Sequence, residues 1–389
     1  MKIEKIRLKN FRNYEELELR PHSEVNLLFG QNGSGKTNLL EAIHYCALGK
    51  SHRVNHDKNT IMMNEEFGAC GIELIRKNVK CDIAVKRIPG DNVKKSIFID
   101  QKKIIRLSDM IGRLQCVIFS PEDLELIREG PSVRRRYIDM LLSQINIGYF
   151  VALQQYRKAL EQRNSLLKDI RMTRKSQVEW LQDFEASMCP AAKVIIEERR
   201  KIITTLNEYT KEVYSSISGR ENEILTLDYQ SAMKDADDIE GMFAELLVKS
   251  RKEDIQYGMT GQGPHRDDIG IRLNGKNMKM FASQGQIRTA ALSLKLAQLR
   301  LYRDVTGDTP VLLLDDVMSE LDMNRRTRLL KEIQGVQTFV TCTDRSDLEE
   351  CENKRSYSVR LDENNHARIT EITEGITEEK EVFSEPDFT

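Results

Sequence analysis

The run Gly30-Gln31-Asn32-Gly33-Ser34-Gly35-Lys36-Thr37 satisfies G-x-x-x-x-G-K-[ST] without a mismatch. Its chemistry is the cradling of phosphates. The glycines let the chain wrap with its amide N–H groups pointing inward, and the N-terminus of a following helix adds positive potential at the same spot. Lys36 would reach the β- and γ-phosphates of ATP, and Thr37 would ligate Mg²⁺. A second constellation, Asp315-Asp316, closes the apolar run Val311 to Leu314. A carboxylate at a strand end completes such a Mg²⁺ site, which assigns Asp315 to the metal. Asp316, beside the γ-phosphate, would orient or deprotonate the attacking water.

The elements that must hold these groups are legible on either side. Val25, Leu27, Leu28 and Phe29 form a strand before the loop; Leu39, Leu40, Ile43 and Ala47 recur at helical spacing after it, and Gly49 supplies a stop. Pro310 precedes the carboxylate strand, and Thr338 to Thr343 reads as the next parallel strand. Around Asn10 to Asn13, Ile6/Leu8 and Leu17/Leu19 alternate as two strands joined by a polar turn. Ser51-His52-Arg53 is a basic loop. From Gly71 to Asp100 short β-rich runs form an antiparallel meander, with a turn at Pro89-Gly90-Asp91-Asn92.

Near Ser120 the character changes. Ser120 would cap a helix with Pro121 at its first position and acids in its first turn. Helical periodicity then continues to about Ser218, with Leu153, Leu160 and Leu167 seven apart and Pro190 marking a kink or break. Two long helices joined by the basic stretch Arg171 to Lys175 predict a short antiparallel arm, with an ordinary helical subdomain as the equal alternative. Beyond Asp228 the α/β character returns, with Gly263-Pro264-His265-Arg266-Asp267-Asp268 in a turn and a closing hairpin around Asp362 to Asn365. His265 and Arg266 read structurally as partners of Asp267 or Asp268. The expected fold class is α/β: a mixed sheet with a phosphate-loop core and an antiparallel β subdomain, plus an inserted helical lobe. Residues 1–119 begin the first lobe, 120–258 form the helical lobe, 259–374 return to the first, and 375–389 are an acidic tail.

Composition bounds these readings. At 389 residues with 40% apolar and 31% charged content, the chain suits a globular protein of two or three domains, and its apolar runs are too short to span a bilayer. Met1 to Ile6 lacks an apolar signal core, which predicts a cytoplasmic protein. Seven scattered cysteines without a C-x-x-C pair argue against a disulfide framework or zinc site. The net charge of −1 conceals a tail from Glu371 carrying −6 and a body carrying +5, which permits nucleic-acid binding without demanding it.

Two further motifs carry a family resemblance. Ser283-Gln284-Gly285-Gln286, ahead of the apolar helix Ile287 to Leu299, resembles the signature of ABC-type ATPases, and Ser319-Glu320-Leu321-Asp322 resembles their D-loop. Phosphate loop and carboxylate strand stand about 280 residues apart with a helical arm between, an arrangement similar to the heads of SMC-like DNA-repair ATPases. Within that group the chain resembles the RecF family of recombination mediators over nearly its whole length. The matching segments are Leu8 to Tyr14, the phosphate loop, Phe119 to Leu124, Arg134-Arg135-Arg136, Gly263 to Asp268, the signature, and Leu313 through Asp322.

The resemblance implies a weak DNA-dependent ATPase with ATP and Mg²⁺ as cofactors. Arg12 would join the phosphate loop in nucleotide binding, and Ser283, Gly285 and Gln286 would meet the γ-phosphate in trans, so that ATP closes a homodimer. Asp316 in place of the usual glutamate, and Thr341 or Thr343 in place of a switch histidine, imply slow hydrolysis; no clear glutamine loop is visible near Ser120. Implied partners are single- and double-stranded DNA at gaps or junctions, RecO and RecR, and indirectly RecA, in DNA replication, recombinational repair and the SOS response, with a cytoplasmic, nucleoid-associated location and no membrane. DNA candidates are Lys94-Lys95, Lys102-Lys103, Arg134 to Arg136, Arg171 to Lys175 and Arg199-Arg200-Lys201, each of which also suits an ordinary solvated face. A transporter ATPase subunit would place loop and signature about 100 residues apart rather than about 250. An ATP-dependent nuclease would need a metal-ligand set in the 67 residues after Asp322, and a metabolic kinase leaves the signature unexplained.

Overall fold

The computed structural model describes residues 1–53, 57–88, 94–173, 178–348, 351, 353–372 and 380–381. The chain opens with β1 (Lys2–Phe11), β2 (Tyr14–Leu19), β3 (Val25–Phe29) and α1 (Lys36–Leu48), then β4 (Gly68–Arg76), β5 (Val79–Ile88), β6 (Lys94–Ile99), β7 (Lys102–Ile104) and β8 (Cys116–Phe119). Helices follow: α2 (Glu125–Arg128), α3 (Pro131–Ile145), α4 (Ile147–Thr173) and α5 (Leu181–Ser218). Next come β9 (Leu225–Gln230), α6 (Ile239–Tyr257), β10 (Asp268–Leu273), β11 (Lys276–Asn277), α7 (Met278–Phe281) and α8 (Gln284–Thr306). β12 (Val311–Leu314), α9 (Met323–Glu332), β13 (Thr338–Cys342), β14 (Lys354–Leu361), β15 (Ala367–Ile372) and β16 (Lys380–Glu381) end the chain.

Two compact units result, Met1–Asp123 with Gln298–Thr389, and Leu124–Ala297. The second division falls inside α8, so the return expected at residue 259 occurs at Gln298 and the signature belongs with the helical unit. No helix among the described residues is long and apolar enough to cross a membrane.

The first unit contains two sheets. One has the order β2-β1-β4-β5-β6-β7 and is antiparallel throughout, as the meander predicted; its Pro89 to Asn92 turn lies outside the described residues. The other runs β16-β15-β14-β3-β13-β12-β8, with the five strands from β14 to β8 parallel and the closing hairpin antiparallel. Leu39, Leu40, Ile43 and Ala47 of α1 share one core with Ile6, Leu8 and Ile72 of the first sheet and Leu28, Leu313, Phe339 and Val359 of the second. Each such side chain contributes about 1.5–3 kcal/mol when fully buried, so the helix that starts at Lys36 and Thr37 is held on both sides. The parallel order places the C-terminal ends of β3, β12 and β13 side by side, where α/β sheets present their ligand crevice.

In the second unit α4 and α5 pair as predicted. Tyr149 meets Arg199 and Arg163 meets Glu185, a falling register that makes the pair antiparallel. Arg174 and Lys175, at the expected tip, lie outside the described residues. Of the kink or break expected at Pro190, the break does not occur: α5 runs through it. One missing backbone donor is outweighed by the buried neighbours Met188, Cys189, Ala191, Ala192 and Ile195. The cap at Ser120 also differs: Pro121 to Leu124 form a single 3₁₀ turn, and the Asp123 carboxylate accepts from the Ser120 N–H at 3.0 Å.

Candidate nucleotide site

The phosphate loop has the backbone its glycines predict. Gly30 and Gly35 take φ of 150° and 115°, and a Cβ on Gly30 would stand 2.2 Å from the Val359 carbonyl oxygen. No side chain fits there, so loop and sheet can touch only through glycine. The Lys36 ammonium donates to the carbonyls of Gly30 (2.6 Å) and Gln31 (2.8 Å), folded back over the loop. Burial lowers its pKa, partly offset by Asp316, Cys342 and Asp315.

Opposite the loop stands Asp315, at the end of β12. Its Oδ1 accepts from Thr37 Oγ1 at 2.8 Å and from Thr341 Oγ1 at 2.7 Å, and burial raises its pKa. Hydroxyl and carboxylate oxygens are the hard donors that Mg²⁺ takes, and the 2.8 Å approach of two of them across 278 residues fits that ion. Asp316 holds a left-handed φ of 51°, a conformation costing a non-glycine residue about 1–2 kcal/mol. Thr341 Oγ1 accepts its N–H at 2.9 Å, and Ser319 Oγ donates to its carbonyl at 3.1 Å. Thr341 therefore fixes both carboxylate residues, whereas Thr343 is exposed. The resulting cavity, about 280 Å³, is lined by Asn32, Lys36, Thr37, Asp315 and Asp316 together with Arg53 and Glu122.

Several of these residues were not singled out in the sequence. Arg53 lines the cavity, lowers the pKa of Asp315 through its charge, and donates to Asn38 Oδ1 at 3.0 Å; Glu122 also lines it and raises that pKa. Asn13 Nδ2 donates to the Ser34 carbonyl at 3.3 Å and Tyr14 OH to the Gly35 carbonyl at 3.1 Å, bracing the loop from the β1–β2 turn. Arg12, expected at the nucleotide, makes a two-pronged ion pair with Glu41 of α1 at 2.9 and 2.7 Å, and the Glu41 side chain is fully buried. Only the segment Leu8 to Tyr14 as a block signalled that this turn matters.

The signature residues lie in the other unit. Ser283 and Gln286 form a capping box: Gln286 N–H donates to Ser283 Oγ at 3.3 Å, and Ser283 N–H to Gln286 Oε1 at 2.9 Å. Ser283 is thus the exposed N-cap of the 23-residue α8, with Gly285 in its first turn, while Gln286 Nε2 also donates to Glu223 at 2.9 Å.

The basic clusters separate. Lys95 donates to the Gly49 carbonyl at 2.5 Å, and the Lys94 side chain lies outside the described residues. Lys102 and Lys103 are exposed. Arg134 pairs two-pronged with Asp268 (2.7 and 2.8 Å), Arg135 reaches the Asp267 carbonyl at 2.7 Å, and Arg136 is exposed. Arg199, proposed with Arg200 and Lys201 as a surface cluster, is instead buried, bonded to Asp139 and Pro264 at 2.7 Å each. His265 is structural, but its partners are Tyr156 OH (2.6 Å) and the Thr260 carbonyl (3.0 Å), not the adjacent aspartates; burial lowers its pKa to about 4.

Comparison with known proteins converges on one family. The sequence profile described as RecF/RecN/SMC N terminal domain matches residues 2–368. The DNA replication and repair protein RecF of Clostridium perfringens is 41% identical over 90% of this chain and 94% of its own length; that of Lactobacillus johnsonii is 40% identical over 88% and 93%. Solved structures of the recombination mediator protein RecF in the RecFOR pathway also match. The RecF-ATP structure is 34% identical at a TM-score of 0.86 over 96% of this chain and 98% of that one. For RecF-ATPrS the values are 36%, 0.84, 92% and 95%. An SMC head bound to the ScpA winged helix, 14% identical at a TM-score of 0.56 over 96% and 98%, shares the fold. With the phosphate loop, the carboxylate strand and the capped signature all in place, the chain belongs to the RecF family of DNA replication and repair proteins.

Proposed function

We propose that the chain is an ATP-switched DNA-binding protein of recombinational repair and replication restart. Gly30 to Thr37 bind the triphosphate, with Arg12 acting through Glu41 on the helix behind the loop. Thr37 and Asp315 would hold Mg²⁺, which when bound neutralises phosphate charge. Asp316, pinned at its N–H by Thr341, directs the water. Ser283 of a second copy, with Gly285 and Gln286, closes over the terminal phosphate, so ATP joins two chains and hydrolysis parts them. The observation that carries this reading is the Thr37–Asp315–Thr341 hydrogen-bond chain at the parallel strand ends, combined with an exposed serine at the N-terminus of α8. In the dimer, basic groups such as exposed Lys102, Lys103 and Arg136 track DNA phosphates without reading bases, and the complex acts with RecO and RecR to load RecA. Light scattering with and without MgATP tests the switch: the wild-type mass doubles with ATP, whereas Ser283→Arg still binds ATP but stays at its apo mass. A Ser283→Arg protein that dimerises with ATP refutes the trans arrangement.

A further inference from the structure

The helical unit holds a second polar cavity, of about 200 Å³, away from the phosphate loop in sequence and built from four segments. Ser132, Arg135, Arg136 and Asp139 face it from α3, Tyr156 and Arg157 from α4, Arg199 from α5, and His265 from the turn before β10. Leu153, Leu160 and Ile195 supply apolar wall. Four guanidinium groups thus line it against one carboxylate. Asp139 is shared between Arg199 (2.7 Å) and Arg157 (2.9 Å). Asp267 is 3.4 Å from Arg199 and accepts a hydrogen bond from Tyr229.

Arg135 is the group this arrangement leaves over. Among the described residues its guanidinium makes one hydrogen bond, to the Asp267 backbone carbonyl at 2.7 Å. Burial lowers its pKa, the Arg199 charge lowers it further, and the charges of Asp268, Asp139 and Asp267 oppose both. His265, whose pKa falls to about 4 through burial, is neutral at pH 7 and adds no charge. A half-buried arginine whose neighbouring carboxylates are already ion-paired with Arg134, Arg157 and Arg199 is stabilised further by a bound anion. Planar guanidinium forks match tetrahedral oxyanions two-pronged, and the apolar wall suits a sugar face better than a fully hydrated ion.

We propose that this cavity is a phosphate-group site, in which Arg135 and Arg136 hold the oxygens and Arg157 and Arg199 supply the surrounding charge. Its volume admits one phosphate with the sugar it esterifies. The source is either an internal phosphodiester of DNA or a terminal phosphate, and only the former rests on the DNA-repair reading above.

The test uses Lys36→Ala full-length protein, so that the phosphate loop does not contribute. Phenylglyoxal modification of Arg135 and Arg136, read by mass spectrometry, is expected to slow several-fold in the presence of pyrophosphate. Unchanged labelling overturns the site. Labelled duplex and single-stranded oligonucleotides, with and without a 5′-phosphate, are then titrated against salt. If the source is an internal phosphodiester, Arg135→Gln lowers the log–log salt slope by about 0.9 for duplexes and about 0.7 for single strands, with or without the 5′-phosphate. If it is a terminal phosphate, only the 5′-phosphorylated ones weaken. Arg135→Lys, which keeps the charge, retains most of the affinity. Arg135→Gln and Arg136→Gln proteins that match the parent in pyrophosphate protection of the remaining arginine and in every titration exclude the proposal. Failure of ATP to dimerise the wild type would sink the switch and leave these measurements unaffected.

Discussion

Arg12→Ala separates a structural role for Arg12 from direct nucleotide contact. Glu41 is fully buried, and Arg12 satisfies both its oxygens, with Ser51 Oγ donating to Oε1 and Arg53 standing 3.7 Å from Oε2. Removing Arg12 leaves that carboxylate with one distant charge and one hydroxyl. Breaking a buried pair costs about 3–5 kcal/mol, and the lower end applies because Arg53 remains. For a unit of about 215 residues a loss of about 3 kcal/mol lowers Tm by roughly 6–12 °C. The assay pairs thermal unfolding by circular dichroism with titration of a fluorescent ATP analogue at a temperature where the variant is folded. Adding Glu41→Gln to Arg12→Ala removes the stranded charge and recovers part of the lost Tm. An Arg12→Ala protein that melts like the wild type while losing ATP affinity would refute the reasoning and return Arg12 to direct contact with nucleotide.

Lys36→Ala should abolish ATP binding with an unchanged circular dichroism spectrum, since the lysine bonds only loop carbonyls that the glycines already hold; equilibrium dialysis measures it. Asp315→Asn keeps acceptors for Thr37 and Thr341 but removes a carboxylate whose pKa burial raises. The Mg²⁺-dependent gain in ATP affinity should vanish while the apo Tm at pH 7 holds or rises; a fall of several degrees would show the charge to be stabilising. His265 is depressed from 6.5 to about 4, so the unfolded chain binds the proton more tightly between those values. Its contribution is complete above pH 6.5 and fades as pH falls towards 4, by a total of about 3 kcal/mol. Urea unfolding at pH 7 and 5 measures this, and His265→Asn should flatten the difference.

The nucleotide loop and the Asp315 strand were readable because each is a local pattern: an apolar strand, a fixed glycine spacing, a carboxylate at the end. The parallel strand Thr338 to Thr343 and the meander were readable for the same reason. What escaped depends on contacts between distant segments. Nothing local in Thr341 distinguishes it from Thr343; only the register of β13 beside β12 aims the first at Asp315. Arg53, Glu122, Asn13 and Tyr14 reach the loop through loops whose path no periodicity encodes. Arg199 looked like surface because charge runs usually are, and its burial follows from Asp139 and Asp267, which lie 60 and 68 residues away. Pro190 shows the limit of a local rule, since tertiary packing on both sides carries the helix through it.

Subunit mixing tests the shared-nucleotide dimer most directly. Lys36→Ala lacks a working phosphate loop and Ser283→Arg a working signature, so neither should form a dimer with ATP alone. Mixed in equal amounts, they should yield heterodimers holding one nucleotide, between the loop of the Ser283→Arg chain and the signature of the Lys36→Ala chain. Multi-angle light scattering showing no mass above that of either variant alone, at ATP concentrations that saturate Ser283→Arg, would contradict it.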